Sequence, residues 1–352
     1  MSTQAEPRVN PMFVVPEDLI ATAPAEYRGR GRDDVRLMVA SPAGVRHLRF
    51  DAIVDVLHAG DLLVVNTSAT LPAAVDGIRA DGRSVVVDFG GVLETGRWIV
   101  ELRRPDGGGP LLDARAGERI ALHDGASITL TGPHGESRGR LWEADVALPP
   151  GGVEPWLREH GRPITYGHVA RRWPLEAYQS VFARVPGSAE MPSAARPFTP
   201  RLVLDLVARG VTVAPVLLHA GVSSTEAGEA PPAERFEVPQ ATAALVNSAL
   251  GAGRRIVAAG TTVVRALETV AGDDGRVSPG RGWTTLVLSP DRPARAVDTL
   301  LTGWHDPNSS HLLLLEAVAG ATVVRQAYAA ALDQGYRWHE FGDSGLLSRR
   351  PL

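Results

Sequence analysis

His219 follows the apolar run Val213-Ala214-Pro215-Val216-Leu217-Leu218 and precedes Ala220-Gly221. That pattern puts an imidazole at the carboxyl end of a strand, beside a glycine that leaves room for a ligand. Imidazole titrates near neutral pH, so it suits removal or delivery of a proton. The same ring can instead bond a backbone carbonyl and only fix its loop. His305, in a loop before Pro307, is a second candidate for proton transfer. Gly260-Thr261-Thr262 offers a different chemistry. It closes the apolar run Ile256 to Ala259 and opens a helical pattern through Val264 and Leu267, with Thr261 or Thr262 as the expected cap. Free N–H groups at such a helix start attract a carboxylate or phosphate, at the end of a strand where open α/β sheets bind ligands. A plain αβ crossover has the same pattern. Arg265 and Glu268, three apart on that helix, could be a plain surface pair.

Composition removes other chemistries. The chain of 352 residues has no cysteine, which excludes disulfides, thiolate nucleophiles and Cys-based metal sites. It has no lysine either, so every fixed positive side chain is an arginine. The net charge of −4 gives no broad basic footprint for nucleic acid, although Arg28 to Arg36 and Arg171-Arg172 are local concentrations. No run of about 18 apolar residues predicts a membrane span. Met1 to Pro7 lacks the basic and apolar parts of a signal peptide, so a cytoplasmic location is expected. Residues 1–10 read as a loose tail.

These residues need elements to hold them. Length allows two domains. Val35 to Ala40 reads as a strand, turned by Ser41-Pro42-Ala43-Gly44 into a second strand ending at Phe50. From about 61 to 150, short apolar runs are broken by Gly, Asp and Pro at roughly ten-residue spacing, which predicts a small β-barrel or sandwich. From 151 onward helical segments alternate with apolar strands: Pro200 to Arg209 with Val211 to Leu218, Pro239 to Leu250 with Arg255 to Ala259, and Thr262 to Ala271 with Trp283 to Leu288. His311 to Ala319 and Val323 to Gln334 complete an α/β pattern.

Several motifs together resemble one family. They are Tyr178-Gln179-Ser180-Val181-Phe182-Ala183, Pro186-Gly187-Ser188, Met191-Pro192-Ser193-Ala194-Ala195, Leu218-His219-Ala220-Gly221, Gly260 to Glu268, Thr302 to Ser310, and Gly335-Tyr336-Arg337 with Gly342-Asp343. Pro16 to Ala21 and Gly60 to Asn66 fit the same pattern. The chain thus resembles, in order and over nearly its whole length, the S-adenosylmethionine:tRNA ribosyltransferase-isomerases of queuosine biosynthesis. The resemblance implies an α/β catalytic domain built from residues 1–60 and 151–352, with a β-barrel domain inserted at 61–150. It implies that S-adenosylmethionine is consumed as a substrate and that no metal is needed. The ribosyl carbons pass to the aminomethyl group of a 7-deazaguanine in a tRNA anticodon, adenine and methionine leave, and an epoxy-cyclopentanediol forms. It also implies catalytic roles for His219, His305 and Glu234. Tyr178, Ser193, Gly260, Thr261, Thr262, Arg265 and Thr302 would hold S-adenosylmethionine.

The chain departs from the family pattern within these motifs. Arg196 and Pro197 replace a leucine and a histidine, Ser223-Ser224-Thr225 replaces Gly-Thr-Phe, and Glu229 and Pro232 replace two histidines. Gly303, Trp304 and Asn308 replace an asparagine, a phenylalanine and a lysine; Asp291 follows Pro290 where the pattern has glycine; Ala69 and Ala74 replace two arginines. Cations suited to phosphate are among the losses, and phosphate contacts carry most nucleic-acid affinity. The sequence therefore predicts weak, salt-sensitive tRNA binding, or none. Three readings follow: the family reaction, the same chemistry on a small-molecule acceptor, and a non-catalytic nucleoside-binding protein.

Overall fold

The computed structural model describes residues 13–352 apart from 30, 136, 138, 170, 223–231, 308 and 310. Its strands, in chain order, begin with β1 (Arg36–Ser41), β2 (Gly44–Arg49), β3 (Leu62–Asn66) and β4 (Ser68–Thr70). Then come β5 (Ala74–Arg79), β6 (Ser84–Val92), β7 (Trp98–Arg103), β8 (Arg119–Ala121), β9 (Ser127–Pro133) and β10 (Leu141–Ala147). The last group is β11 (Val185–Ser188), β12 (Thr212–Leu218), β13 (Glu234–Val238), β14 (Ile256–Ala259), β15 (Gly280–Thr284), β16 (Thr299–Thr302) and β17 (Ser344–Ser348). The helices are α1 (Ile53–Val56), α2 (Val153–His160), α3 (Pro200–Ala208), α4 (Gln240–Gly251), α5 (Thr261–Thr269), α6 (His311–Ala319) and α7 (Ala321–Asp333).

Nine strands form one mixed sheet in the order β15-β13-β12-β3-β14-β16-β17-β1-β2. The central strands β12, β3, β14 and β16 run parallel to one another. All residues of β3 and β14 are buried, which is why both read as continuous apolar runs and not as alternating ones. Helices cover the sheet: Val263, Val264, Ala266 and Leu267 of α5 join Leu315 and Val318 of α6 and Val324 and Ala327 of α7 in one core. A second core, against the other layer, joins Leu63, Val65 and Val257 to Phe50, Phe198, Leu202 and Leu206.

Strands β5 to β10 close into a separate antiparallel barrel. Val75, Val87, Val100, Leu102, Ile120, Ile128 and Leu130 fill its interior. The barrel is the predicted β-rich insert, but it starts later than residue 61. β3 pairs with β12 and β14 in the middle of the large sheet, and the chain reaches the barrel at Ala74. Asp61 and β3 look like barrel texture because a short buried parallel strand and a barrel strand share the same apolar run. One further difference is Trp283 to Leu288, where the strand lies earlier, at Gly280–Thr284. The barrel also buries charge. Glu101 accepts from Arg103 and Arg140, each at 3.0 Å, and the neighbouring Asp88 carboxyl is pushed up to about 8 by burial and by Glu101. Among the described residues, no single helix is long and apolar enough to cross a membrane. The tail at 1–10 lies outside the described residues.

Candidate active site

The site is built on the β14–α5 junction. Gly260 ends the central strand with φ +110°, a left-handed conformation that a side chain would strain. Its N–H donates to the Leu301 carbonyl of the neighbouring strand at 2.9 Å. Gly260, not a threonine, occupies the cap position, and no side chain caps α5. Thr262 Oγ1 instead accepts from Asn66 at 3.2 Å. The expected threonine cap is therefore corrected, and the helix start is left without a side-chain oxygen on its N–H groups.

Gly260, Thr261 and Thr262 line an open cavity of about 780 Å³. The same wall holds Tyr178, Ser193, Glu234, Arg265, Thr302 and His305. Nine of the ten residues singled out by sequence thus meet in one cleft. The tenth does not: Ala220 and Gly221 line the cleft, whereas His219 is absent from the lining. Its Nδ1 is 2.7 Å from Ser68 Oγ, which bonds Ser188 Oγ at 2.6 Å; Ser188 in turn accepts the Ala220 N–H at 2.9 Å. The ring packs over Gly187, where a Cβ would fall only 2.4 Å from it. These contacts tie the paired strands β4 and β11 to the end of β12, through a serine hydroxyl and not the backbone carbonyl expected of a structural ring.

Arg265 and Glu268 are not a surface pair; each is only 6% exposed. Arg265 bonds the buried Glu234 carboxylate and the carbonyls of Leu286 and Thr284, at 3.1 and 3.2 Å. Glu234 also accepts the Gly221 N–H at 2.8 Å, so the pair pins the His219 loop to α5. Glu268 accepts three backbone N–H groups, from Arg295, Ala296 and Val297, at 2.8–2.9 Å. It fixes the entry to β16, which delivers Thr302 and His305. Helical spacing alone placed the two side chains on one face, but the packing of β13 and β15 against α5 buries that face.

His305 stacks on His311 with ring centroids 4.3 Å apart and planes 2° from parallel. Thr302 Oγ1 donates to the Gly303 carbonyl and lies 3.1 Å from His305 Nε2. A hydroxyl has one proton, so Nε2 is the donor and Nδ1 is the bare nitrogen. Burial holds His305 well below the ordinary imidazole range, with His311 and His339 adding to it. Burial likewise pushes His311 down to about 4, with help from Arg265, and His219 down to about 4, with help from Arg235.

Those three shifts make a stability prediction. A histidine whose folded pKa is depressed binds its proton more readily in the unfolded chain. Its destabilisation is absent above the ordinary value of 6.5 and grows as pH falls toward about 4. Urea denaturation is expected to show stability dropping through that window, and a His219→Gln/His311→Gln double variant to flatten the slope. Equal slopes in the two proteins would refute the assignment.

Sequence reasoning missed a second group in the cleft wall: His168, His339 and Glu340. His168 Nε2 lies 3.1 Å from Glu340 Oε2, and the His168 and His339 rings stack at 4.5 Å. His339 has φ +68°, rare for a residue with a side chain. His168 is far in sequence from the adjacent His339 and Glu340, and both segments are irregular, so no period or spacing signals the group. Among the substituted positions, Pro232, Gly303 and the buried Trp304 line the cleft. Arg196 is 2% exposed, bonds Glu26 and the Ala177 carbonyl, and covers the Phe341 ring. Ser223 to Thr225, Glu229 and Asn308 lie outside the described residues.

The family model described as queuosine biosynthesis protein matches residues 10–347. The chain belongs to that family. An S-adenosylmethionine:tRNA ribosyltransferase-isomerase of Symbiobacterium thermophilum is 36% identical over 348 residues, covering 95% of this chain and 98% of the relative. One of Deinococcus radiodurans is 37% identical over 357 residues, covering 96% and 94%. The crystal structure of an S-adenosylmethionine tRNA ribosyltransferase from Thermotoga maritima matches with a TM-score of 0.52 and 28% identity, over 95% of this chain and 98% of that one. The barrel-in-α/β architecture expected from the family is the one present. The relatives' names run against the expectation that tRNA binding is absent.

Proposed function

We propose that this chain is an S-adenosylmethionine:tRNA ribosyltransferase-isomerase. It consumes S-adenosylmethionine, transfers and isomerises its ribosyl moiety onto an amine acceptor, and releases adenine and methionine. The acceptor is the aminomethyl group of a 7-deazaguanine in tRNA, and the reaction takes place in the cytoplasm. One observation carries the reading: in a chain that the family model matches over residues 10–347, the residues proposed to hold the substrate converge on one cleft.

The chemistry divides among those residues. The uncapped start of α5 at Gly260, Thr261 and Thr262 suits the methionine carboxylate, because its N–H groups and dipole favour an anion. Ser193 and Thr302 offer hydroxyls to the ribose. Tyr178 has a buried hydroxyl with no partner among the described residues, a group that a polar ligand would satisfy. Glu234 and Arg265 are spent on each other and shape the floor. His305 has a bare nitrogen that can accept a hydrogen bond from the adenine amino group. The reaction balances without a metal.

The relatives lend nothing to the small-molecule acceptor or to a non-catalytic binder. Alanine at positions 69 and 74 still predicts modest affinity for tRNA that falls steeply with salt. Incubation with S-adenosylmethionine, with and without tRNA carrying the aminomethyl base, tests the reading by adenine and methionine release. Release that depends on tRNA is expected. Release with a free deazapurine amine but not with tRNA, or no release at all, would overturn it.

A further inference from the structure

The family reaction needs a base beside the sulfonium, and the structure leaves His219 off the cleft wall. We propose that His168 is that base, with Glu340 as its positioning residue. This rests on the function proposed above and assigns a proton-transfer role that the sequence motifs do not contain.

The geometry is that of a carboxylate–imidazole dyad facing a ligand cavity. Both residues line the cleft. Against the cost of burial, the bond to His168 holds Glu340 below the usual carboxylate range. An ionised carboxylate only accepts, so the 3.1 Å bond makes His168 Nε2 the donor. Nδ1 is then the ring nitrogen left to take a proton, and among the described residues nothing bonds it. The ring is held by stacking, on His339 at 4.5 Å and on Tyr166 at 6.3 Å between centroids. The Tyr178 hydroxyl, without a partner among the described residues, stands in the same wall, where burial, helped by the Glu340 charge, keeps it protonated. A base oriented by a third group is a recurring arrangement for activating a proton transfer. His305 also has a bare nitrogen, but it is more deeply buried, and the residue behind it is the hydroxyl of Thr302, not a carboxylate.

The step is balanced. His168 Nδ1 takes a proton from C5′, the carbon that joins the ribosyl group to the sulfonium. The C–H electron pair stays on carbon as a sulfonium ylide. The new imidazolium is neutralised by Glu340, no other bond breaks, and no oxidant is used.

The test is solvent deuterium incorporation at C5′ of S-adenosylmethionine, measured with adenine release on the full chain with tRNA present. His168→Gln is expected to keep its melting temperature and its calorimetric affinity for S-adenosylmethionine. Its kcat and exchange rate should fall by about 10²–10⁴ with little change in KM. Glu340→Gln should fall less, and Glu340→Asp should recover part of the loss, which a merely structural residue would not do. Exchange at the wild-type rate in a folded His168→Gln protein overturns the proposal; if that variant does not fold, His168→Asn is read in its place. His168, His339 and Glu340 present donor atoms within 4.8 Å of one another. Exchange abolished by a chelator and restored by zinc would make them a metal site and overturn the proposal too. If the wild type itself neither exchanges nor releases adenine, the function falls and takes this assignment with it. If only the variants are unaffected, the function stands without it.

Discussion

Arg265→Leu is expected to destabilise the protein by about 3–5 kcal/mol, because it strands a buried carboxylate. Glu234 is 9% exposed and, among the described residues, would keep only the Gly221 N–H, while the carbonyls of Thr284 and Leu286 would each lose a donor. The loss is one of pairing and not of the pair's own worth. A Glu234→Leu/Arg265→Leu double variant is therefore expected to be more stable than Arg265→Leu alone. Urea denaturation of the three proteins decides it. A single variant within about 1 kcal/mol of wild type would mean that water reaches Glu234 and that the pair is a surface feature after all.

Gly260→Val is expected to weaken S-adenosylmethionine binding by roughly 10- to 100-fold, on the strain of about 1–3 kcal/mol that a side chain brings to such a conformation. Valine cannot hold φ +110° without that cost, and its Cβ would stand 3.4 Å from Ala194 Cβ, next to Ser193. The relief available is to rotate the peptide entering α5, which turns the Thr261 and Thr262 N–H groups away from the cleft. Calorimetry measures the affinity, and circular dichroism shows whether the fold persists. Wild-type affinity in the folded variant would place the substrate carboxylate elsewhere.

The sequence by itself determined the architecture and most of one site. Buried parallel strands such as Ile256–Ala259 are legible because burial on both faces leaves only apolar residues, and α6 (His311–Ala319) is legible from its continuous apolar composition. Gly260 is legible because no other residue tolerates its backbone. The motifs around Tyr178, Ser193, Gly260 and Thr302 pointed to residues that line the cleft because local order in the chain was enough to recognise them. Tertiary structure decided the rest. It decided that β3 belongs to the large sheet, since pairing partners distant in the chain, not local texture, place a strand. Neighbouring strands buried Arg265 and Glu268, whose charges alone suggest a solvated face. His219 was turned toward Ser68, because an apolar run followed by histidine fixes where the backbone ends and not where the ring points. Finally, only tertiary structure brought His168 to Glu340, two residues joined by no period, motif or spacing, through the docking of one irregular segment on another.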